Sequence, residues 1–194
     1  MTKQVFSKPF TQQEAIPEAG IARAVEIMKT GRLHRYNLLP DEAGEAAALE
    51  MEYAKWQGAD YCIACTSGGY AIQLGLRVCG VKPGDKVLAN AYTLAPVPGA
   101  IHNVGGVPVL VDIDESYHID CDDLDVKAAA SGAKYLLLSY MRGHIPDMDK
   151  LLAVCAQYDI CLIEDCAHTM GAKWRGIRSG NFGKVAAFST QTYK

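Results

Sequence analysis

A handful of short runs in this sequence combine residue types that can do chemistry together. Thr66-Ser67-Gly68-Gly69 sets a hydroxyl and two glycines where a helical pattern begins. Free N–H groups and the positive end of a helix dipole suit an anion such as phosphate there, and glycine lets a ligand approach the backbone. An ordinary serine N-cap has the same local signature, and the run has neither the P-loop lysine nor the G-x-G-x-x-G spacing. Tyr92 follows an apolar run. Its ring can stack on a flat heteroaromatic ligand or fill a core or rim position. Asp165 closes the run Cys161-Leu162-Ile163-Glu164-Asp165. Two adjacent carboxylates at a strand end need partners. Strand alternation sends them to opposite faces, so one can meet a cationic ligand atom while the other faces a helix or water. A capping or salt-bridged aspartate is the plainer alternative. His168 lies three residues on, within reach of the same ligand, and Ser189 precedes Lys194 by five residues.

Taken singly, Lys194 reads as a solvated lysine. Taken together, an anion cradle, an aromatic plate, a carboxylate, a hydroxyl and an amine fit pyridoxal 5′-phosphate (PLP). The amine forms a Schiff base with the aldehyde, and the carboxylate keeps the pyridine nitrogen protonated so that the ring acts as an electron sink. The cradle and Ser189 hold the phosphate.

The elements that must position these groups follow from the apolar pattern. Pro17 to Thr30 reads as an amphipathic helix with Ile21, Ala24, Val25 and Met28 on one side, stopped at Gly31, and a second helix runs from about Asp41 to Trp56. From Tyr61 onward, β-type runs alternate with helices. The strands are Tyr61–Cys65, Lys86–Ala89, Val107–Val111, Tyr135–Ser139 and Ile160–Glu164. The helices lie near Ser67–Val78, Pro96–Val104, Cys121–Ala130 and Met148–Gln157. Such a pattern predicts an α/β fold, a mostly parallel sheet with helices on both faces. Short runs at Ala172–Trp174, Ile177–Arg178 and Val185–Phe188 predict a return hairpin and one more strand. Ligands of open α/β sheets collect at the C-terminal strand ends, and the residues above fall there.

Composition narrows the function classes. With 194 residues, 49% apolar and 21% charged, the chain can bury a core without metal or disulfides. A net charge of −3, from 19 basic against 22 acidic residues, argues against nucleic-acid binding by bulk charge and against a basic membrane-surface domain. The apolar runs are too short to span a bilayer, and the first twenty residues lack a signal-peptide core, so a cytoplasmic setting is the expectation. Seven scattered cysteines do not form a disulfide framework. Cys62 and Cys65 make a C-x-x-C pair without a second pair at zinc-finger spacing. They read as small core residues rather than a redox or metal site, and no metal site is expected.

At this point the sequence resembles the DegT/StrS-type PLP-dependent aminotransferases, mostly sugar aminotransferases, of fold type I. Thr66 to Ile72 is similar to that family's T-S-G-T-A-A-L phosphate turn. Val81-Lys82-Pro83-Gly84-Asp85-Lys86-Val87 is similar to G-x-x-x-G-D-E-V. Ala91-Tyr92-Thr93 sits where the family has an aromatic-Thr pair, and Gly106-Val107-Pro108-Val109 with Val111-Asp112-Ile113-Asp114 is similar to G-x-x-P-V-x-x-D-I-D. Ile163 to His168 resembles I-E-D-x-A-[QH], and Phe188 to Lys194 resembles F-S-x-x-x-x-K. The resemblance covers nearly the whole chain from about Pro17. It implies that Lys194 carries the Schiff base and the proton, that Asp165 pairs with the pyridinium nitrogen, and that Tyr92 stacks on the ring. It further implies that His168 sits near the ring and that Ser67, Gly68, Gly69 and Ser189 hold the phosphate. The implied reaction is amino transfer from glutamate or glutamine to a keto-sugar, often nucleotide-linked, in a homodimer. Two domains are implied: an N-terminal helical arm and entrance loop, residues 1–40, and a PLP-binding large domain, residues 41–194, cut at the lysine. Family members continue past that lysine, so these residues are expected to be an incomplete enzyme.

Gly69 departs from the family's threonine, which removes one hydroxyl contact, and Tyr140-Met141-Arg142-Gly143-His144 departs from V-H-x-x-G. The loop Gly31 to Tyr36 departs from G-W-x-x-x-G; Arg32, His34 and Arg35 suit an anionic substrate or a solvated or subunit-facing loop. A PLP-dependent sugar dehydratase on this scaffold commonly has histidine in place of the lysine, which Lys194 disfavours. A non-catalytic PLP-binding regulatory homologue is the other alternative.

Overall fold

The computed structural model describes residues 15–36, 38–39 and 43–191. Helix α1 (Glu18–Thr30) and helix α2 (Glu45–Gln57) each end on a left-handed glycine, Gly31 and Gly58, where a side chain would be strained. Asp41, expected to open α2, lies outside the described residues. Then follow α3 (Gly68–Val78), β1 (Lys86–Asn90), α4 (Pro96–Asn103), β2 (Val107–Val111), α5 (Cys121–Ser131) and β3 (Tyr135–Ser139). The chain continues through α6 (Met148–Tyr158), β4 (Cys161–Asp165), β5 (Lys173–Trp174), β6 (Ile177–Arg178) and β7 (Val185–Ala187). Aspartates cap α5 and α6: Asp120 accepts from the N–H groups of Asp122 and Asp123, and Asp147 from those of Asp149 and Lys150.

Five strands form one parallel sheet in the order β2-β1-β3-β4-β7, and β5 and β6 form a separate antiparallel hairpin. The expected α/β sheet, the hairpin and the last strand are therefore present. The chain first moves outward from β1 to β2 and then inward to β3, so the order reverses between β1 and β3. That reversal opens a crevice beyond the carboxyl ends of the strands.

Alternation along the strands sorts the core into two layers. Val87, Ala89, Leu137 and Ile163 pack with Ile72 and Leu76 of α3 and Val97 and Ile101 of α4. Leu88, Leu136, Leu138 and Leu162 pack with Leu124 of α5 and Met148 and Leu151 of α6. Of the first two helices, α2 buries Ala54 and Gln57, while α1 buries none. An Arg23–Glu45 hydrogen bond of 2.7 Å joins the two helices.

One expected strand is corrected. Tyr61–Cys65 runs as irregular chain, with Tyr61 91% and Ile63 59% exposed. Its β-type composition is realised as a strand only beside a partner, and no described residue pairs with it. Glu50 instead accepts the Ala64 N–H at 2.7 Å. The C-x-x-C cysteines consequently lie half-buried on this segment rather than in the core. Cys155 and Cys166 are buried, and all seven cysteines are free thiols.

Two consequences are measurable. Gly183 sits where a Cβ would come 2.5 Å from the Leu162 carbonyl oxygen, a backbone atom. Gly183→Ala is expected to destabilise the purified protein by about 2–3 kcal/mol in chemical denaturation. Burial, aided by neighbouring thiols, raises the Cys155 thiol from 9.0 to about 11. The folded state thus prefers the neutral thiol. Its contribution to stability is present in full below the unfolded value near 9.0 and is lost as pH rises toward 11. Denaturation midpoints are expected to fall across that window, and less so in Cys155→Ala.

Candidate active site

Three parallel strands deliver polar residues to the same edge. Asn90 closes β1, Ser139 closes β3 and Asp165 closes β4, with Ser139 directly opposite Asp165 in the ladder. Asp165 continues the row of Ile163, and Ser139 that of Leu137, so both face the α3/α4 layer. That is the side on which α3 presents its N-terminus.

Asp165 is 8% exposed and held from two directions. The Ser139 hydroxyl donates to its Oδ2 at 2.9 Å, and the Ala167 N–H donates to its Oδ1 at 3.2 Å. Ser139 accepts in turn from the Thr93 hydroxyl at 2.8 Å. The Asn90 side chain locks the backbone of Ser139, accepting its N–H at 2.9 Å and donating to its carbonyl at 3.1 Å. The carboxylate is thus oriented by a chain running Thr93, Ser139, Asp165 and anchored by Asn90. The expected list of site residues did not include Asn90, Thr93 and Ser139. The available signal was a polar residue closing each apolar strand, Asn90 and Ser139 alike.

A cavity of about 190 Å³ opens above this edge. Gly68, Gly69, Asp165, His168 and Ser189 all line it, together with Ser139, Met141 and Phe188. Five of the expected site residues therefore meet in one space. His168 is oriented by the Arg142 N–H, which donates to its Nδ1 at 3.3 Å. Ser67 caps α3, accepting the Tyr70 N–H at 3.2 Å, and lines an adjoining hollow that shares Gly69 and Pro96 with the cavity.

Tyr92 is not brought to the cavity wall; Leu94 of the same loop and Pro96, the first residue of α4, are. The Tyr92 ring packs on Tyr117 at 5.4 Å, and Tyr117 reaches it from a left-handed backbone, φ 64°. Lys194 lies outside the described residues. In the loop expected to suit an anionic substrate, Arg35 is committed to Glu50 at 2.7 Å, and His34 stacks on Tyr36.

A parallel sheet with a carboxylate at the carboxyl end of β4, on the side of a glycine-opened helix N-terminus, defines an α/β domain with a ligand crevice at its strand ends. Residues 17–194 match the model of the DegT/DnrJ/EryC1/StrS aminotransferase family, and the chain belongs to that family. It is 35% identical to 3-amino-5-hydroxybenzoate synthase of Amycolatopsis mediterranei over 77% of this chain and 39% of the relative. It is 34% identical to the UDP-2-acetamido-2-deoxy-3-oxo-D-glucuronate aminotransferase of Pseudomonas aeruginosa over 89% of this chain and 45% of the relative. Among solved structures, a Streptococcus pneumoniae protein described as a sugar aminotransferase, in its PLP form, superposes with a TM-score of 0.81 at 25% identity. That match covers 97% of this chain and 50% of the other. The chain thus spans half the length of these relatives or less.

The Ser139 link has a direct consequence. Ser139→Ala removes the hydroxyl that accepts from Thr93 and donates to the buried Asp165 carboxylate. It is expected to cost about 1–3 kcal/mol in chemical denaturation, and Ser139→Thr, which keeps the hydroxyl, less.

Proposed function

We propose that the protein of which this chain forms the N-terminal part or the whole is a PLP-dependent aminotransferase. In this reading it passes an amino group from glutamate or glutamine to a keto-sugar. Family membership supports it, and one geometric observation carries it: Asp165 shares a single cavity with Gly68 and Gly69 at the α3 N-terminus and with His168 and Ser189.

The residues present fit the cofactor by chemistry. A buried carboxylate suits a protonated ring nitrogen, and a helix N-terminus opened by two glycines suits a phosphate. When bound, PLP supplies an electrophilic carbon for amine exchange and a ring that accepts electron density. Asp165 then holds the ring nitrogen in its charged form, with Ser139 and Ala167 fixing the direction of the carboxylate. The first turn of α3, from Ser67 through Gly69, and the Ser189 hydroxyl hold the phosphate. His168 borders the ring. Tyr92, which packs on Tyr117 here, would have to leave that contact to stack on the ring. Lys194 would hold the cofactor through its amine and would serve as the proton carrier. Pro96, Met141 and Phe188 restrict water around these groups.

Residues 1–40 form an arm distinct from the 41–194 cofactor domain in this reading. Its support is that α1 buries none of its side chains. The same helix leaves Ile21, Val25 and Met28 at 43%, 38% and 59% exposure. That uncovered face supports a homodimer in which a second subunit lies against the arm. The setting proposed is the cytoplasm; no helix among the described residues is long and apolar enough to cross a membrane.

The full-length protein is expected to acquire a visible absorbance band on titration with PLP, and glutamate or glutamine should shift it. Lys194→Ala should lose the band, and Asp165→Ala should lower turnover roughly 10²- to 10⁴-fold. A full-length protein that shows no band with PLP overturns the reading.

A further inference from the structure

Strand β4 carries a second carboxylate whose surroundings are unusual. Glu164 is fully buried and continues the row of Leu162, away from the cavity. Burying a carboxylate in a core costs free energy unless donors satisfy it. Here four donors converge. The Tyr140 hydroxyl donates to Oε2 at 2.6 Å and the Gly180 N–H to the same oxygen at 2.8 Å. The Phe182 and Gly183 N–H groups donate to Oε1 at 2.9 and 2.6 Å.

These donors belong to the two segments that flank Asp165. Tyr140 opens the 3-10 turn Met141–Gly143, and Met141 lines the cavity. Gly180, Phe182 and Gly183 form the turn that feeds β7 and, directly after it, Phe188 and Ser189. β7 is short and pairs with β4 through three positions, Val185 to Ala187. Its placement therefore leans on the turn before it. The turn also touches the cavity wall: a Cβ on Gly180 would stand 2.4 Å from the Phe188 ring. From the other side, Gln57 of α2 donates to the Ser179 carbonyl at 2.8 Å, and Asn181 donates to the Gln57 carbonyl at 2.9 Å.

We infer that Glu164 is a positioning residue for the cofactor site. Resting on the reading above, it ties the Met141 wall and the Phe188–Ser189 limb to the strand that carries Asp165. Adjacent residues of one strand then fix both ends of the site. Asp165 would meet the ring nitrogen on the cavity side of the sheet, and Glu164 sets, from the opposite face, where the Ser189 hydroxyl stands. Glu164→Gln is the informative change, because it keeps the shape and turns one oxygen into an amide that confronts two of the four donors.

The test uses the full-length protein. Amide hydrogen exchange of the cofactor-free form is followed over residues 140–144 and 180–189, and PLP affinity is measured by absorbance well below the melting temperature. Glu164→Gln is expected to speed exchange in both segments, with α5 and β2 unchanged, and to weaken PLP binding about tenfold. Tyr140→Phe removes one donor and covers the case in which Glu164→Gln does not fold; it is expected to speed exchange at 140–144 and weaken binding severalfold. Failure of the wild-type protein to bind PLP overturns the functional reading. Wild-type PLP affinity in a folded Glu164→Gln variant, or in Tyr140→Phe should that variant not fold, overturns this inference. So does exchange raised evenly through the domain, which marks a role in general stability alone.

Discussion

Two neighbouring carboxylates at the end of a buried strand cannot share a face. In β4 the pleat turns Asp165 toward α3 and α4 and Glu164 toward α5 and α6. Each then needs its own partners, because an unsatisfied buried carboxylate would cost more than most single contacts return. Much of the local architecture answers that need. Ser139 and the Ala167 N–H attend to one carboxylate, and Tyr140 and the 180–183 turn attend to the other. Because the two residues are covalent neighbours, the cavity lining above the sheet and the turn packed below it are referenced to the same strand.

The parallel register does the rest of the positioning. Pairing Ser139 with Asp165 puts a hydroxyl beside a carboxylate without any loop being involved. Asn90, on the next strand, then locks Ser139 through both its backbone groups. Strand residues hold geometry better than loop residues do, so a rigid part of the fold carries the Asp165 carboxylate. In the proposed reading, the groups that would face a phosphate come from a helix start and from the segment after β7, which meet in one cavity.

Several features were legible in the chain. Alternating apolar runs and helical periods gave the parallel sheet and the order of its elements through β4, together with the late hairpin. The ends of β4 and β7 pointed to Asp165, His168 and Ser189, and the glycine-opened start of a helix pointed to Gly68 and Gly69; the fold gathers all five into one cavity. Other features were not. Tyr61–Cys65 has a strand-like composition, but strand formation depends on a lateral partner, which local composition does not encode. Tyr92 has the right place in sequence, yet its ring follows Tyr117, whose left-handed backbone is a property of the 114–118 turn.

The sequence by itself determined which residue types occur and at which strand ends, and period-2 alternation was enough to predict that Glu164 and Asp165 part company. It also carried the motifs, in order, that mark the family. Only the tertiary structure decided what each carboxylate meets. The hydrogen bonds to Asp165 from Ser139 and to Glu164 from Tyr140 and the 180–183 turn join residues 16 to 26 positions apart. Such contacts depend on strand register and on the path of a returning loop. Both are set by packing of the whole sheet, and no local pattern of residues records them.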